Sequence, residues 1–157
     1  MAVMTNSDAL LVALRQINRA IDLHSKQLKK ETGQTTPQLL ILKALQKGGR
    51  LKPSVIAKSV HLSHATVTSI VDRLEKSKML TREKSADDRR SVEIVLTDKG
   101  RECIENAPEM LQEDFLVSFS QLENWEQSLL ISSVQRIASM MDADRLESAP
   151  ILEIGEI

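Results

Sequence analysis

The residues best suited to contact another molecule lie in a polar segment that starts at Ser63. Val67, Ile70 and Leu74 recur in it at helical spacing, so the segment predicts a helix that buries one face. Hydroxyl, imidazole and alanine methyl groups on the other face are suited to base edges in a DNA major groove. These outward residues are Ser63, His64, Ala65, Thr66, Thr68, Ser69 and Arg73. Each of them taken alone could equally be a helix cap or an ordinary exposed residue.

A charged hairpin is predicted to follow this helix. Met79–Arg82 and Val92–Leu96 predict two β-strands joined by a charged turn. An arginine at the tip of such a hairpin, or wing, can enter the minor groove, where negative potential is concentrated. Arg89 and Arg90 are the candidates for this role. Phosphate contacts are expected from Lys47, Arg50, Lys52 and Lys58. The alternative interpretation of both sets is a solvated surface charge.

Helices must position these groups. A short helix over Pro53–Val60, a tight turn at His61-Leu62 and a second helix over Ser63–Lys78 form a predicted helix-turn-helix. Longer helices flank this lobe, which predicts a mainly α protein with a small β-hairpin wing. The flanking helices are predicted at 7–32 with Asn6 or Ser7 as N-cap, from an N-cap at Thr36 to Gly48, from Asp98 with a kink at Pro108, and after a capping box at Ser120.

Charge and composition narrow the function further. Residues 1–102 contain 19 Lys and Arg against 11 Asp and Glu, whereas residues 103–157 contain 2 against 11. A basic body favours an anionic partner. Phe115, Phe119 and Trp125 all lie in the acidic part, so the basic part has no ring on which single-stranded bases could stack. Duplex DNA is therefore the favoured nucleic acid.

Several other classes of protein are disfavoured. Cys103 is the only cysteine, so no intramolecular disulfide can form, which fits a cytoplasmic protein. We expect neither a secretory signal nor a membrane span, because no apolar run is long enough. His24, His61 and His64 form no metal-ligand pattern, so no metal and no cofactor are expected. An enzyme is not expected either, because no phosphate-cradling glycine loop or nucleophile elbow is present.

The order of these motifs resembles the MarR family of bacterial regulators. The most specific parts are ATVTSIVDRLEKSKMLTRE at 65–83 and DDRRSVEIVLTDKG at 87–100, and the resemblance covers about residues 10–141. It implies a homodimer that binds pseudo-palindromic duplex DNA, and we expect a repressor. The chain would then be a single domain, with dimerisation helices at about 1–34 and 98–145, a DNA-binding lobe at about 36–97 and a tail at 146–157.

The resemblance also implies roles for single residues. Asp88 would pair with an arginine and brace the wing, with Arg73 as the candidate partner, while Arg90 enters the groove. Many members release DNA when a small molecule binds between the dimerisation helices and the DNA-binding lobe. Candidate residues for such an effector pocket are Ile17, Arg19, Ile21 and His24, which could equally form the dimer core. Some relatives sense peroxide through a cysteine in the first helix; no cysteine lies there, so Cys103 is expected to be a packing residue.

A narrower resemblance concerns the first two helices. INRAIDLHSKQL at 17–28 and TTPQLLILKAL at 35–45 are similar to the MarR branch that represses compatible-solute (ectoine and betaine) genes, which implies a role in the osmotic stress response. A rival from another class is a winged-helix module for protein–protein contact that never meets DNA. Such a module would not need Arg90 and an open Ser/Thr face together.

Overall fold

The computed structural model describes residues 5–88 and 90–141, and the predicted tail at 146–157 lies outside them. The chain begins with two helices, α1 (Asn6–Thr32) and α2 (Thr36–Gly48). The N-cap of α1 is Thr5, whose hydroxyl accepts the Asp8 N–H at 3.1 Å while the Asp8 carboxylate accepts the Thr5 N–H at 3.0 Å. The predicted caps of both helices are wrong by one or two residues. The cap of α1 is Thr5 rather than Asn6 or Ser7, and the cap of α2 is Thr35 rather than Thr36.

The predicted helix-turn-helix is present as α3 (Pro53–Val60) and α4 (His64–Lys76). Proline begins α3, where its missing N–H costs nothing. His61 ends α3 in the left-handed conformation, with φ of 55°, and this turns the chain sharply toward α4. Ser63 is the N-cap of α4, as predicted.

The wing is an antiparallel hairpin of β1 (Leu80–Lys84) and β2 (Val92–Leu96), with Leu80 opposite Leu96 and Lys84 opposite Val92. Leu51, which lies between α2 and α3, forms an isolated β-bridge with Ile94 through two backbone hydrogen bonds of 3.1 and 2.8 Å. This bridge attaches the middle of β2 to the segment that leads into the helix-turn-helix.

The C-terminal part consists of α5 (Asp98–Glu105), α6 (Leu111–Ser120) and α7 (Asn124–Met140). A single helix kinked at Pro108 was the expectation, and it is wrong, because the helix ends at Glu105 and a new one begins at Leu111. Pro108 cannot donate a backbone hydrogen bond, and Met110 is buried against α1 and α2, so the chain leaves the helical path between them.

The predicted capping box at Ser120 is also wrong. The Ser120 hydroxyl donates to the carbonyl of Val117 within α6, at 2.7 Å. The N-cap of α7 is Glu123, whose N–H donates to the Glu126 carboxylate at 3.0 Å. A Ser-x-x-Glu spacing therefore marked the end of one helix rather than the start of the next.

Two apolar clusters hold these elements together, and α2 belongs to both. The smaller one contains Leu28 of α1, Leu39 of α2 and Met110. The larger one joins α2, α3, α4, the hairpin and α5, and its fully buried members include Ile41, Leu42, Ile56, Val67, Val71, Leu74, Leu80 and Ile94. Burial of each such side chain contributes about 1.5–3 kcal/mol. The predicted fold class, mainly α with a small hairpin wing, is confirmed.

Among the described residues, no helix has both the length and the apolar character that a bilayer crossing needs.

Candidate nucleic-acid interface

The start of α4 has a hydrogen-bonded cap that orients two of the candidate DNA-contacting hydroxyls. Ser63 Oγ accepts the Thr66 N–H at 3.1 Å, and the two hydroxyl oxygens lie 2.8 Å apart. Thr68 Oγ1 donates to the carbonyl of His64 at 2.9 Å. Because each hydroxyl has one donor proton and two acceptor lone pairs, each keeps at least one site for a bond to a ligand. The cap thus holds these groups in place while using only part of their hydrogen-bonding capacity.

The two faces of α4 divide as the sequence predicts. Val67, Ile70, Val71 and Leu74 are buried in the larger cluster. The outward residues His64, Ala65, Thr68, Ser69 and Arg73 are exposed, as is the cap residue Ser63, and Thr66 is half-buried. A small polar face at a helix start is the surface that a recognition helix presents to base edges and phosphates.

Arg82 of β1 ties the wing to α4, and sequence reasoning missed it. Its guanidinium donates to the carboxylates of Asp72 and Glu75, both on α4. Partial burial lowers the pKa of Arg82, but the Asp72 hydrogen bond and the charge of Glu75 outweigh it, so the pKa lies above its ordinary value. Arg82 is seven residues from Glu75 and ten from Asp72 in the sequence, and no helix or strand periodicity predicts contacts at these separations. Arg82 therefore links the helix directly to the wing.

The wing turn is shaped by Asp88, although not in the way expected. Its carboxylate accepts the backbone N–H of Arg90 at 2.9 Å, and its carbonyl accepts the N–H of Ser91 at 2.9 Å. The predicted ion pair between Asp88 and Arg73 is wrong: Arg73 forms no ion pair within the described residues. An aspartate in a turn readily accepts the N–H of the residue two positions later, and Asp88 forms this local bond rather than the ion pair with Arg73. Arg90 is exposed at the tip, while Arg89 lies outside the described residues.

Arg50, predicted to meet phosphate, pairs with one carboxylate on each strand of the wing. Its Nη2 lies 2.5 Å from a carboxylate oxygen of Glu83, and its Nε lies 3.2 Å from one of Glu93. The hydrogen bonds to Glu93 and Glu83 raise the pKa of Arg50. Two carboxylates already compensate its charge, and its phosphate contact stays a prediction.

The other predicted phosphate contacts keep their charges exposed. Lys52 is the N-cap residue of α3, and its carbonyl accepts the N–H groups of Val55 and Ile56. Lys47 and Lys58 are exposed on α2 and α3. None of the three lysines forms an ion pair with another described residue.

The candidate effector residues differ in exposure and do not all lie on one face of α1. Ile21 is buried, His24 is half-buried and Ile17 is 54% exposed. Arg19 lies on the opposite side of α1, since residues two apart on a helix do not share a face. It lines an open groove along α1, together with Val12, Arg15, Gln16, Ala20 and Leu23.

Cys103 is placed as a packing residue would be. Its Sγ lies 3.8 Å from the carbonyl of Thr32, and it packs against both apolar clusters. Burial raises the pKa of the Cys103 thiol, and the nearby Lys99 offsets this only in part. In the part of the chain that the structure describes, no group of three or more His, Cys, Asp or Glu is arranged to hold a metal ion.

Comparison with known proteins gives this interface its context. Residues 35–92, from the N-cap of α2 to the start of β2, match the model of the MarR family. The chain is 32% identical over 101 residues to the HTH-type transcriptional repressor MdtR of Bacillus subtilis (strain 168), a match covering 62% of this chain and 65% of MdtR, slightly under two thirds. It is 34% identical over 111 residues to the uncharacterized HTH-type transcriptional regulator YhbI of the same organism, covering 66% of this chain and 72% of YhbI.

A solved structure extends the likeness over most of the chain. The crystal structure of a MepR-like protein complexed with pseudoligands has a TM-score of 0.61 and 29% sequence identity, covering 88% of this chain and 97% of that one. Both Bacillus subtilis relatives are named as transcriptional regulators. Together with the polar face of α4 and its attached wing, they show that the chain belongs to the MarR family of DNA-binding transcriptional regulators and is not an enzyme.

Proposed function

We propose that this chain is a homodimeric repressor that binds a pseudo-palindromic duplex, with α4 in the major groove and the wing in the neighbouring minor groove. The observation that carries the proposal is the exposed polar start of α4, held by Arg82 in one unit with a hairpin that exposes Arg90. Two such units in a symmetric dimer would contact half-sites about 34–36 Å apart. Repression is supported by the likeness to the repressor MdtR.

Each candidate residue has a proposed role in this interface. His64 and Thr66 would read base edges, and Ala65 would contact a thymine methyl group. The minor-groove residues would be Arg90 and Arg89, with Asp88 holding the shape of the turn. Further contacts to bases or phosphates are proposed for Ser63, Thr68, Ser69, Arg73 and Lys52.

Dimerisation is supported by apolar side chains that one protomer leaves exposed. α7 contributes no buried residue, and its Trp125, Leu129 and Val134 are 67%, 58% and 61% exposed. Phe115 of α6 and Ile17 of α1 are 50% and 54% exposed. Apolar surface of this extent marks an interface. We propose residues 1–34 and 98–145 as the dimerisation part, of which 1–4 and 142–145 lie outside the described residues.

A small-molecule effector is part of the proposal, supported by the likeness to a MepR-like protein that was crystallised with pseudoligands. Of the predicted liners, Arg19 lies on an open groove in the single protomer, and the dimer would have to complete a pocket for Ile17, Ile21 and His24. The compatible-solute branch, the osmotic stress role and the cytoplasmic location stay predictions from the sequence.

The first experiment is a titration of the purified protein into two duplexes of equal length, at several salt concentrations. One duplex is selected by the protein from a random library, and the other is unrelated. We expect tight binding to the first, weaker binding to the second and a steep salt slope, since phosphate contacts release counterions. Equal or negligible binding to both would contradict the proposal and favour the protein-contact module. Ectoine and betaine, added to the complex, then test release.

The wing is tested by Arg90→Ala. We expect weaker binding to duplexes with A·T-rich flanks and an intact dimer by light scattering, because a narrow minor groove attracts arginine. Lys30→Ala is the matched control, since Lys30 is exposed on α1 and forms no ion pair with a described residue. Unchanged affinity of the Arg90 variant would remove the wing from the interface.

A further inference from the structure

An ion pair connects the DNA-binding lobe to the C-terminal helices. The Lys43 Nζ of α2 lies 2.7 and 2.8 Å from the two carboxylate oxygens of Glu113 in α6, although the residues are 70 positions apart. The side chains are 28% and 42% exposed. Of the ion pairs that Lys and Arg form within the described residues, only this one joins the chain before Pro108 to the chain after it.

An apolar contact one turn earlier reinforces the ion pair. Met110, the N-cap residue of α6, is 1% exposed and packs with Leu28 and Leu39. The Glu113 N–H donates to the carbonyl of Met110 at 2.8 Å, and the Met110 N–H donates to the Glu113 carboxylate at 3.4 Å. The first turn of α6 is therefore held against α2 by one buried side chain and one charge.

α2 is the element through which this attachment reaches the lobe. Its Ile41, Leu42 and Leu45 belong to the core that also contains Val67 and Leu74 of the recognition helix. Because packed cores deform little, a tilt of α2 would move α4 with it. α6 and α7, on the other side of the ion pair, carry the exposed apolar residues proposed for the dimer interface.

We infer that Lys43 and Glu113 are positioning residues that set the orientation of each DNA-binding lobe against the dimer, and hence the half-site spacing that the dimer accepts. The inference rests on the proposed function, because a spacing exists only where two lobes bind one duplex. Breaking the pair leaves Met110 as the remaining anchor of the α6 start, so the lobe samples a wider range of orientations. Duplexes with the wrong spacing then become better tolerated.

The experiment compares binding to the library-selected duplex with binding to two versions that gain or lose one base pair at the centre. The wild type should discriminate against both altered spacings. Glu113→Gln and Lys43→Gln should reduce that discrimination about two- to fivefold, the range expected when a partly exposed ion pair is lost. The charge-swapped protein with Lys43→Glu and Glu113→Lys should recover it. Glu105→Gln, an exposed α5 carboxylate without an ion pair, is the matched control.

A second measurement needs no DNA. Nitroxide labels on Lys76→Cys of α4 and Ser132→Cys of α7, in a Cys103→Ser background and diluted with unlabelled protein, report the distance between lobe and C-terminal helix. Glu113→Gln should broaden the distance distribution, and the swapped pair should narrow it again. A merely structural role would lower the melting temperature without changing either readout.

The outcomes separate the two proposals. If the wild type selects no duplex, the proposed DNA-binding function fails and the spacing role falls with it, and the label distances then test only whether the pair positions the lobe. If the wild type binds while Glu113→Gln keeps its spacing discrimination and its distance distribution, the positioning role is overturned. Should Glu113→Gln not fold, Lys43→Gln and the swapped pair carry the same comparison.

Discussion

Glu83 and Glu93 lie directly opposite each other in the wing hairpin, where like charges destabilise a strand pair. Arg50 forms ion pairs with both carboxylates, and Ser85 Oγ donates to Glu93 at 3.2 Å. The two strands of the wing are thus held by a residue from the segment between α2 and α3, next to the Leu51–Ile94 bridge. A repulsive pair becomes an attachment point because a third segment supplies the missing charge.

We expect Arg50→Gln to destabilise the wing, because it leaves Glu83 and Glu93 facing each other without a cation. The thermal midpoint should fall, and the loss should shrink at high salt as the repulsion is screened. Adding Glu83→Gln should recover part of the midpoint. Lys47→Gln is the control, because Lys47 lies near the end of α2 and forms no ion pair with another described residue. An equal loss in that variant would show that the ion pairs of Arg50 do not stabilise the wing.

Arg82→Gln should weaken both folding and DNA binding. Loss of a partly exposed pair costs about 0.5–1 kcal/mol in the free energy of unfolding, measured by urea denaturation. DNA affinity should fall further, since Asp72 and Glu75 on α4 then add uncompensated negative charge beside the proposed phosphate contacts. The double variant with Asp72→Asn should regain affinity. No recovery would mean that Arg82 does not act through these carboxylates.

His64→Ala and Lys52→Ala should differ in kind. If His64 reads a base edge, its loss changes base preference at one position by about 1–3 kcal/mol, with the salt slope unchanged. If Lys52 contacts a phosphate, its loss lowers affinity evenly across sequences and reduces the salt slope by about 1. Titrations of single-base duplex variants at several salt concentrations check both. A uniform loss in the His64 variant would contradict direct readout.

Gly100→Ala should be destabilising, although it lies outside the interface. A Cβ at Gly100 would lie 2.1 Å from the carbonyl oxygen of Met79, a backbone atom that cannot move aside cheaply. Overpacking of this kind costs about 1–3 kcal/mol. Arg101→Ala, on the exposed neighbouring position, should change the urea midpoint little. Equal stability of the two variants would show that α5 can shift away from the start of β1.

Cys103 should react slowly with iodoacetamide at neutral pH. Burial raises the pKa of its thiol, so less of the nucleophilic thiolate is present than in the unfolded chain. The alkylation rate should be several-fold lower than in urea and should rise with pH. DNA binding should survive mild peroxide and should match that of Cys103→Ser. Loss of binding on peroxide treatment in the wild type alone would reveal a sensor role.

Local patterns in the sequence determined α4 and the hairpin of this protein. The 3.6-residue spacing of Val67, Ile70 and Leu74 predicts the buried stripe of α4, and Ser63 precedes it as a cap, because both features depend on neighbours within one or two turns. The two strand-forming segments around a charged turn predict the hairpin in the same way. The exposed polar face of α4 and the fold class were therefore predictable without any long-range contact.

Only the tertiary structure decided how these parts are joined. Arg50, Arg82 and Lys43 meet carboxylates across turns, strands and helices, and nothing in the local spacing distinguishes them from solvated charges. The break at Pro108 likewise depends on a site for Met110 between α1 and α2, which exists only once those helices pack. Periodicity reports what a segment buries, whereas the partner of a charge is set by which segments the folded chain brings together.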